Sequence, residues 1–166
     1  MRATQEAAGS EYRLEKEVWT EVDFDQMGWH DSEIHAIAFL PDIFEFVLDI
    51  DYIFAWVHPV DDDEYFKFWV APCTAVFGNC HDLRLDVSSS GGLTVQDIGR
   101  SEPISPRNAE YIGRDKEWRW TIDCNEGEIS FSAAFLKQYV RKAPRLVRQQ
   151  RLTADRGTPF LREFER

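Results

Sequence analysis

Asp49 and Asp51 stand two residues apart inside the run Phe44–Val57, FEFVLDIDYIFAWV. On a strand, residues i and i+2 share a face and lie about 6.5–7 Å apart. Two carboxylates so placed are the raw material of an acid–base pair of the glycosidase kind. The simpler reading is a solvated or ion-paired sheet face, with Arg84 or Arg119 on a neighbouring strand as the natural cross-strand partner. His30, Asp31 and His35, extended by Asp49, Asp51 or His58, offer imidazole and carboxylate ligands that suit zinc or iron. Their spacing matches no strong metal motif. The odd separation of His30 and His35 also needs a turn to bring them to one side. The simpler reading is that Trp29-His30-Asp31 caps the entry to a sheet through hydrogen bonds. Cys73, Cys80 and Ser130 are the candidate nucleophiles. Cys80 and His81 are adjacent and would point to opposite strand faces, and no Gly-x-Ser-x-Gly elbow exists. Ser88–Gly92 is not followed by Lys and a helix, so it is no phosphate loop. No catalytic residue and no cofactor is assigned.

Binding candidates are more numerous. Trp56, Tyr65, Phe66, Phe68, Trp69, Trp118 and Trp120 form an aromatic set. Most of it is expected in the core, with some rings left to line a concavity or a partner surface. Beside it, Asp61, Asp62, Asp63 and Glu64 make an acidic loop, a solvated tip that could also steer a basic partner. Near the other end, Arg145, Arg148 and Arg151 are three apart, so a short helix from Arg145 would carry them as one basic stripe, with Arg141 and Lys142 just before it.

The chain has 166 residues and a net charge of −11, unevenly spread. Residues 137–166 hold nine Lys/Arg against three Asp/Glu, so the acidity belongs to the preceding body. The first expectation is that the basic end lies on that body and neutralises it; the second is that the body docks a basic protein. Nucleic-acid binding is disfavoured, because the body repels phosphate. Three cysteines without a tight pairing pattern argue for reduced thiols rather than a disulfide framework. The N-terminal residues lack a secretory pattern, and no run approaches the ~18 apolar residues of a membrane span. These features point to the cytoplasm.

The elements that must position these residues read as strands. Ser32–Leu40 alternates apolar and polar residues, Pro41-Asp42 turns, and Phe44–Val57 returns with Phe44, Phe46, Leu48 and Ile50 on one face and Glu45, Val47, Asp49 and Asp51 on the other. Tyr65–Phe77 is apolar but contains Pro72, which predicts an edge or a bulge. His81–Val87 and Leu93–Ile98 are the next two strands. Lys116–Cys124 and Glu128–Phe135 form the clearest hairpin, around Asn125-Glu126-Gly127. The pattern predicts an all-β, mainly antiparallel fold with little helix: about seven strands in one curved sheet, a sandwich or half-barrel. Residues 1–10 read as a disordered lead, 11–157 as a single β domain and 158–166 as a C-terminal tail.

Trp29-His30-Asp31, Leu48-Asp49-Ile50-Asp51-Tyr52-Ile53 with Trp56, Val70-Ala71-Pro72 leading to Val76-Phe77, and Gly127-Glu128-Ile129 with Gln138-Tyr139 are the residues that carry a resemblance. Over about residues 25–157 the chain resembles a bacterial protein family described only as uncharacterised, which implies no catalytic residues. More loosely, its size, acidity and class are similar to those of small immunity proteins that silence toxins. The leading expectation is therefore a non-catalytic protein-interaction module of the toxin-neutralising kind. The alternatives are a small-ligand-binding barrel using the Trp-rich interior and a metal-dependent hydrolase on His30, Asp31 and His35. An unpaired sheet edge would also let two copies form a homodimer.

Overall fold

The computed structural model describes residues 11–62 and 65–166. The lead expected for residues 1–10, and Asp63 and Glu64 of the acidic loop, lie outside the described residues. In chain order the strands are β1 (Val18–Thr20), β2 (Glu33–Leu40), β3 (Glu45–Val57), β4 (Lys67–Gly78), β5 (His81–Val87), β6 (Leu93–Arg100), β7 (Trp118–Cys124), β8 (Gly127–Ala133), β9 (Phe135–Val140) and β10 (Arg145–Val147). Among the described residues, helix is confined to short turns at Glu21–Gln26, Pro41–Ile43 and Ala109–Ile112. Among the described residues, no helix is long and apolar enough to cross a membrane.

All the strand pairings are antiparallel, in the order β1-β9-β4-β3-β2-β6-β7-β8-β5, with β10 added beside the first part of β4. The sheet is open. Among the described strands, its two halves, β1-β9-β4-β3-β2 and β6-β7-β8-β5, pair with each other where Glu33 and Ile34 meet Thr94 and Leu93. The halves fold onto each other because alternate residues of both are apolar. Phe46, Leu48 and Ile50 of β3 and Cys73, Ala75 and Phe77 of β4 meet Trp120 and Ile122 of β7 and Ile129 and Phe131 of β8 in one core. Ring centroids lie 4.7 Å apart for Phe77 and Phe131, and 5.2 Å apart for Phe46 and Phe131 and for Phe77 and Trp120. Burying each such ring contributes about 1.5–3 kcal/mol.

The all-β, antiparallel expectation holds, with ten strands rather than about seven. Two of the additional strands, β1 and β10, are three residues long, too short to show a period. The third arises where the run from Glu128 continues past Phe135. At Ala134 the chain turns a corner, donating its N–H to the carbonyl of Gly78 at 2.9 Å, and passes from one half of the sheet to the other as β9. Gly78 permits this crossing: a Cβ there would lie 1.8 Å from the Phe135 ring.

Pro72 does not mark an edge. The strand carrying it, β4, is central, with β3 on one side and β9 and β10 sharing the other. β9 pairs from Cys73 onward and β10 up to Val70, so Pro72 falls in the gap between them. Its carbonyl still accepts from the Arg141 N–H at 2.9 Å, and the hydrogen that proline lacks is not needed there. The helix expected from Arg145 is absent as well. Residues 145–147 are strand, and the chain beyond them is an irregular strap over the outer face of β3 and β4. Leu152 of the strap joins Ile53, Phe68 and Val70 in a second, smaller core.

Candidate functional site

The strap fixes the fate of the paired carboxylates. Asp49 and Asp51 share the outer face of β3, as their spacing requires, and both are buried. Arg156, near the end of the strap, donates to both oxygens of Asp49 at 2.7 and 2.8 Å and from Nε to Asp51 at 3.0 Å. Arg141, fully buried just after β9, lies 2.8 Å from Asp49. It is itself held by the carbonyl of Cys73 and the hydroxyl of Thr74. Asp51 also accepts from the Leu152 N–H at 2.7 Å and contacts His35 Nε2 at 2.8 Å. Burial alone would push the Asp49 carboxyl up. The hydrogen bond from Arg156 and the charges of Arg141 and Arg156 outweigh it and hold the group below the usual carboxylate range. Two anions so occupied have no free face for a substrate proton. The ion-paired reading is therefore the structural one, with Arg156, Arg141 and His35 as partners. Arg84 and Arg119 lie on the other half of the sheet, and Arg119 instead donates to Ser130 and to the carbonyl of Asp82.

The residues proposed as metal ligands come together only in pairs, His30 Nε2 lying 3.6 Å from Asp31 and His35 Nε2 2.8 Å from Asp51. His30 Nδ1 contacts the Gln96 carbonyl at 3.0 Å, and its ring stacks on Trp56. Asp31, at a φ of 64°, donates its N–H to Val95 at the start of the sheet, the capping role the sequence suggested. His35 is committed to Asp51. Among the described residues, no three His, Cys, Asp or Glu side chains are grouped so as to hold a metal ion. The thiols are poor nucleophiles. Burial pushes Cys80 and Cys124 up to about 11 and raises Cys73 further. All three cysteines are free.

The aromatic set divides. Phe68, Trp69 and Trp120 are buried, and Trp118 is covered by the Arg100 guanidinium 4.5 Å from its ring. At the far end of the β3–β4 hairpin, Trp56 is edge-on to Phe66 and Phe68. There Phe66, Tyr65 and Val60 are exposed, next to exposed Asp61 and Asp62. A polar cleft of about 370 Å³ lies between Asp31, Glu33 and Thr94 on one side and Gln149, Gln150 and Arg151 of the strap on the other.

Sequence reasoning missed a second acidic face. Cross-strand register places Asp86 of β5 opposite Glu128 of β8, Glu128 opposite Asp123 of β7, and Asp123 opposite Asp97 of β6. Directly opposed residues point to the same side of a sheet, and all four are exposed. The result is a row of four carboxylates across four strands. Among the described residues none of them has a hydrogen bond or ion pair. Like charges so opposed are destabilising. The expected turn Asn125-Glu126-Gly127 would have set Asp123 opposite Ile129. The chain instead turns on Asn125-Glu126, with Gly127 already in β8 opposite Cys124, and this shorter turn makes the Asp123–Glu128 pair. The outer two members depend on pairings with β5 and β6 that no local pattern reveals.

No family model, curated protein or solved structure matches the chain, so its function is read from these two acidic faces and the aromatic end between them in sequence.

Proposed function

We propose that this protein is a non-catalytic interaction module that binds a basic protein through the acidic row Asp86–Glu128–Asp123–Asp97. The observation that carries the reading is the contrast in charge matching. The carboxylates that resemble a catalytic pair are neutralised within the chain, whereas the exposed row is left unmatched at a cost in stability. An unmatched, solvent-facing row steers an oppositely charged partner and fixes its register. The exposed rings Tyr65 and Phe66, beside Asp61 and Asp62, supply apolar contact of the kind that anchors interfaces. Covering the basic surface of a toxin would be one use of such a face, and three free thiols suit a reducing cytoplasm.

The test compares the natural protein with the variant D86N/E128Q/D123N/D97N by cross-linking in the native cell, followed by binding kinetics with the recovered partner. The expected partner is basic, its association rate falls as salt rises, and the variant loses it. A partner bound equally by both proteins, or no partner at all, refutes the reading.

A further inference from the structure

Among the described residues, strand β5 ends the sheet order and pairs on one side only, with β8. The register slips between His81 and Arg84, where Asp82 takes a positive φ of 51°. Such a bulge twists its end of the strand away from further pairing. From Leu83 to Val87 the edge is regular and carries neither Pro nor Lys, the usual guards against edge-to-edge association. On its inner face Leu83 and Val87 are half-buried and Leu85 is 40% exposed. On its outer face Arg84 and Asp86 are exposed, and neither side chain has a partner among the described residues.

We propose that this edge binds a second copy of the chain, the two β5 strands pairing antiparallel about a twofold axis through Leu85. A twofold perpendicular to a sheet keeps outward side chains outward, so it must pass through a residue rather than between two. Through Leu85 it sets Arg84 opposite the partner's Asp86, and Asp86 opposite the partner's Arg84. On the inner face it sets Leu83 opposite the partner's Val87, and Leu85 opposite its own copy. Both unmatched charges are matched, and the apolar inner face continues across the junction. An axis through Arg84 would oppose Arg84 to itself and Asp82 to Asp86, and one through Asp86 would oppose Asp86 to itself. An axis through Leu83 would need the bulged Asp82 in the ladder. One through Val87 would set Asp86 opposite Ser88 and Arg84 opposite Ser90, leaving both charges unmatched, so the strand is self-complementary in one register. The acidic row then ends on the partner's Arg84 while its face stays open, so this inference stands apart from the proposed binding of a basic protein.

A junction of five residues per copy is small, below the ~1,200 Å² of stable interfaces, so weak association is expected. Sedimentation of the full chain from about 10 μM to about 1 mM spans the dissociation range of such contacts. The natural chain should dimerise with rising concentration. R84D, which opposes acid to acid, and D86R, which opposes base to base, should each weaken the dimer by about tenfold or more. The exchange R84D/D86R should restore it, as should mixing R84D with D86R in equal amounts. Restoration also shows that the single variants are folded. A chain that stays monomeric throughout, or a dimer indifferent to R84D, D86R and their exchange, overturns the proposal.

Discussion

Two faces of the sheet carry carboxylates in a line, and the chain treats them oppositely. On β3, Asp49 and Asp51 are buried and each contacts guanidinium nitrogens at 2.7–3.0 Å. Across β5, β8, β7 and β6, four exposed carboxylates have no cation partner among the described residues. Most of the basic residues near the C-terminal end pair with carboxylates of this half of the sheet or of the C-terminal stretch itself. Arg141 and Arg156 hold the buried pair, Arg162 contacts Glu45 and Arg166 reaches Glu17. Charge at the first face serves folding, because a buried anion must be paired. Charge at the second serves no contact among the described residues, which is the basis for the proposed docking of a basic partner.

The largest expected effect breaks the first face. R156A leaves Asp49 and Asp51 buried with part of their compensation gone, and should cost about 3–5 kcal/mol in urea unfolding. A loss below about 1 kcal/mol, the worth of an exposed pair, would put the two faces in the same class. Acid should act next. The folded-state pKa of Asp49 is depressed, so its contribution is fully present above the unfolded aspartate value of about 3.9. That contribution is lost as pH falls from there through the folded value. Urea midpoints measured from neutral pH to about pH 2 should drop in this window, and R156A should shrink the drop.

A smaller change of opposite sign sharpens the contrast. Converting acid to amide in the row, E128Q, removes the charge between Asp86 and Asp123 and should raise stability by about 0.2–1 kcal/mol. The same conversion in the strapped pair, D49N, leaves buried Arg141 without its carboxylate and Arg156 with Asp51 alone, and should lower it. Equal signs would end the comparison. The smallest effect concerns the thiols, with Cys73 beneath the strapped half and Cys124 beside the row. Both should react slowly with a thiol reagent at neutral pH, Cys73 the more slowly because it is fully buried. Rapid labelling of native Cys73 would mean that the strapped half opens readily.

Much of this was legible in the residues. The alternation from Phe46 to Ile50 and from Trp118 to Phe131 placed the core face of three strands, although Phe44, expected on that face, is exposed in the turn before β3, and the uneven charge foretold that the basic end lies on the acidic body. What remained hidden depends on distance along the chain. Asp49 meets Arg156 at a separation of 107 residues, and no local period encodes that pairing. Pro72 looked like an edge signal because a gap between two partner strands produces the same tolerance for a missing hydrogen. Arg145, Arg148 and Arg151 fit helical spacing equally well as an extended strap, whose course is set by the apolar seat of Leu152 and by the buried anions.

The order in which the ribosome delivers these parts has a consequence. Asp49 and Asp51 emerge about a hundred residues before Arg156, so a nascent chain holding β1 to β8 has two anions whose principal cation is not yet made. Domains tend to fold as units during synthesis. This one can reach its final state only after Arg156 has been made, and a stop codon placed before Arg156 should yield a product that degrades rather than a shorter working protein.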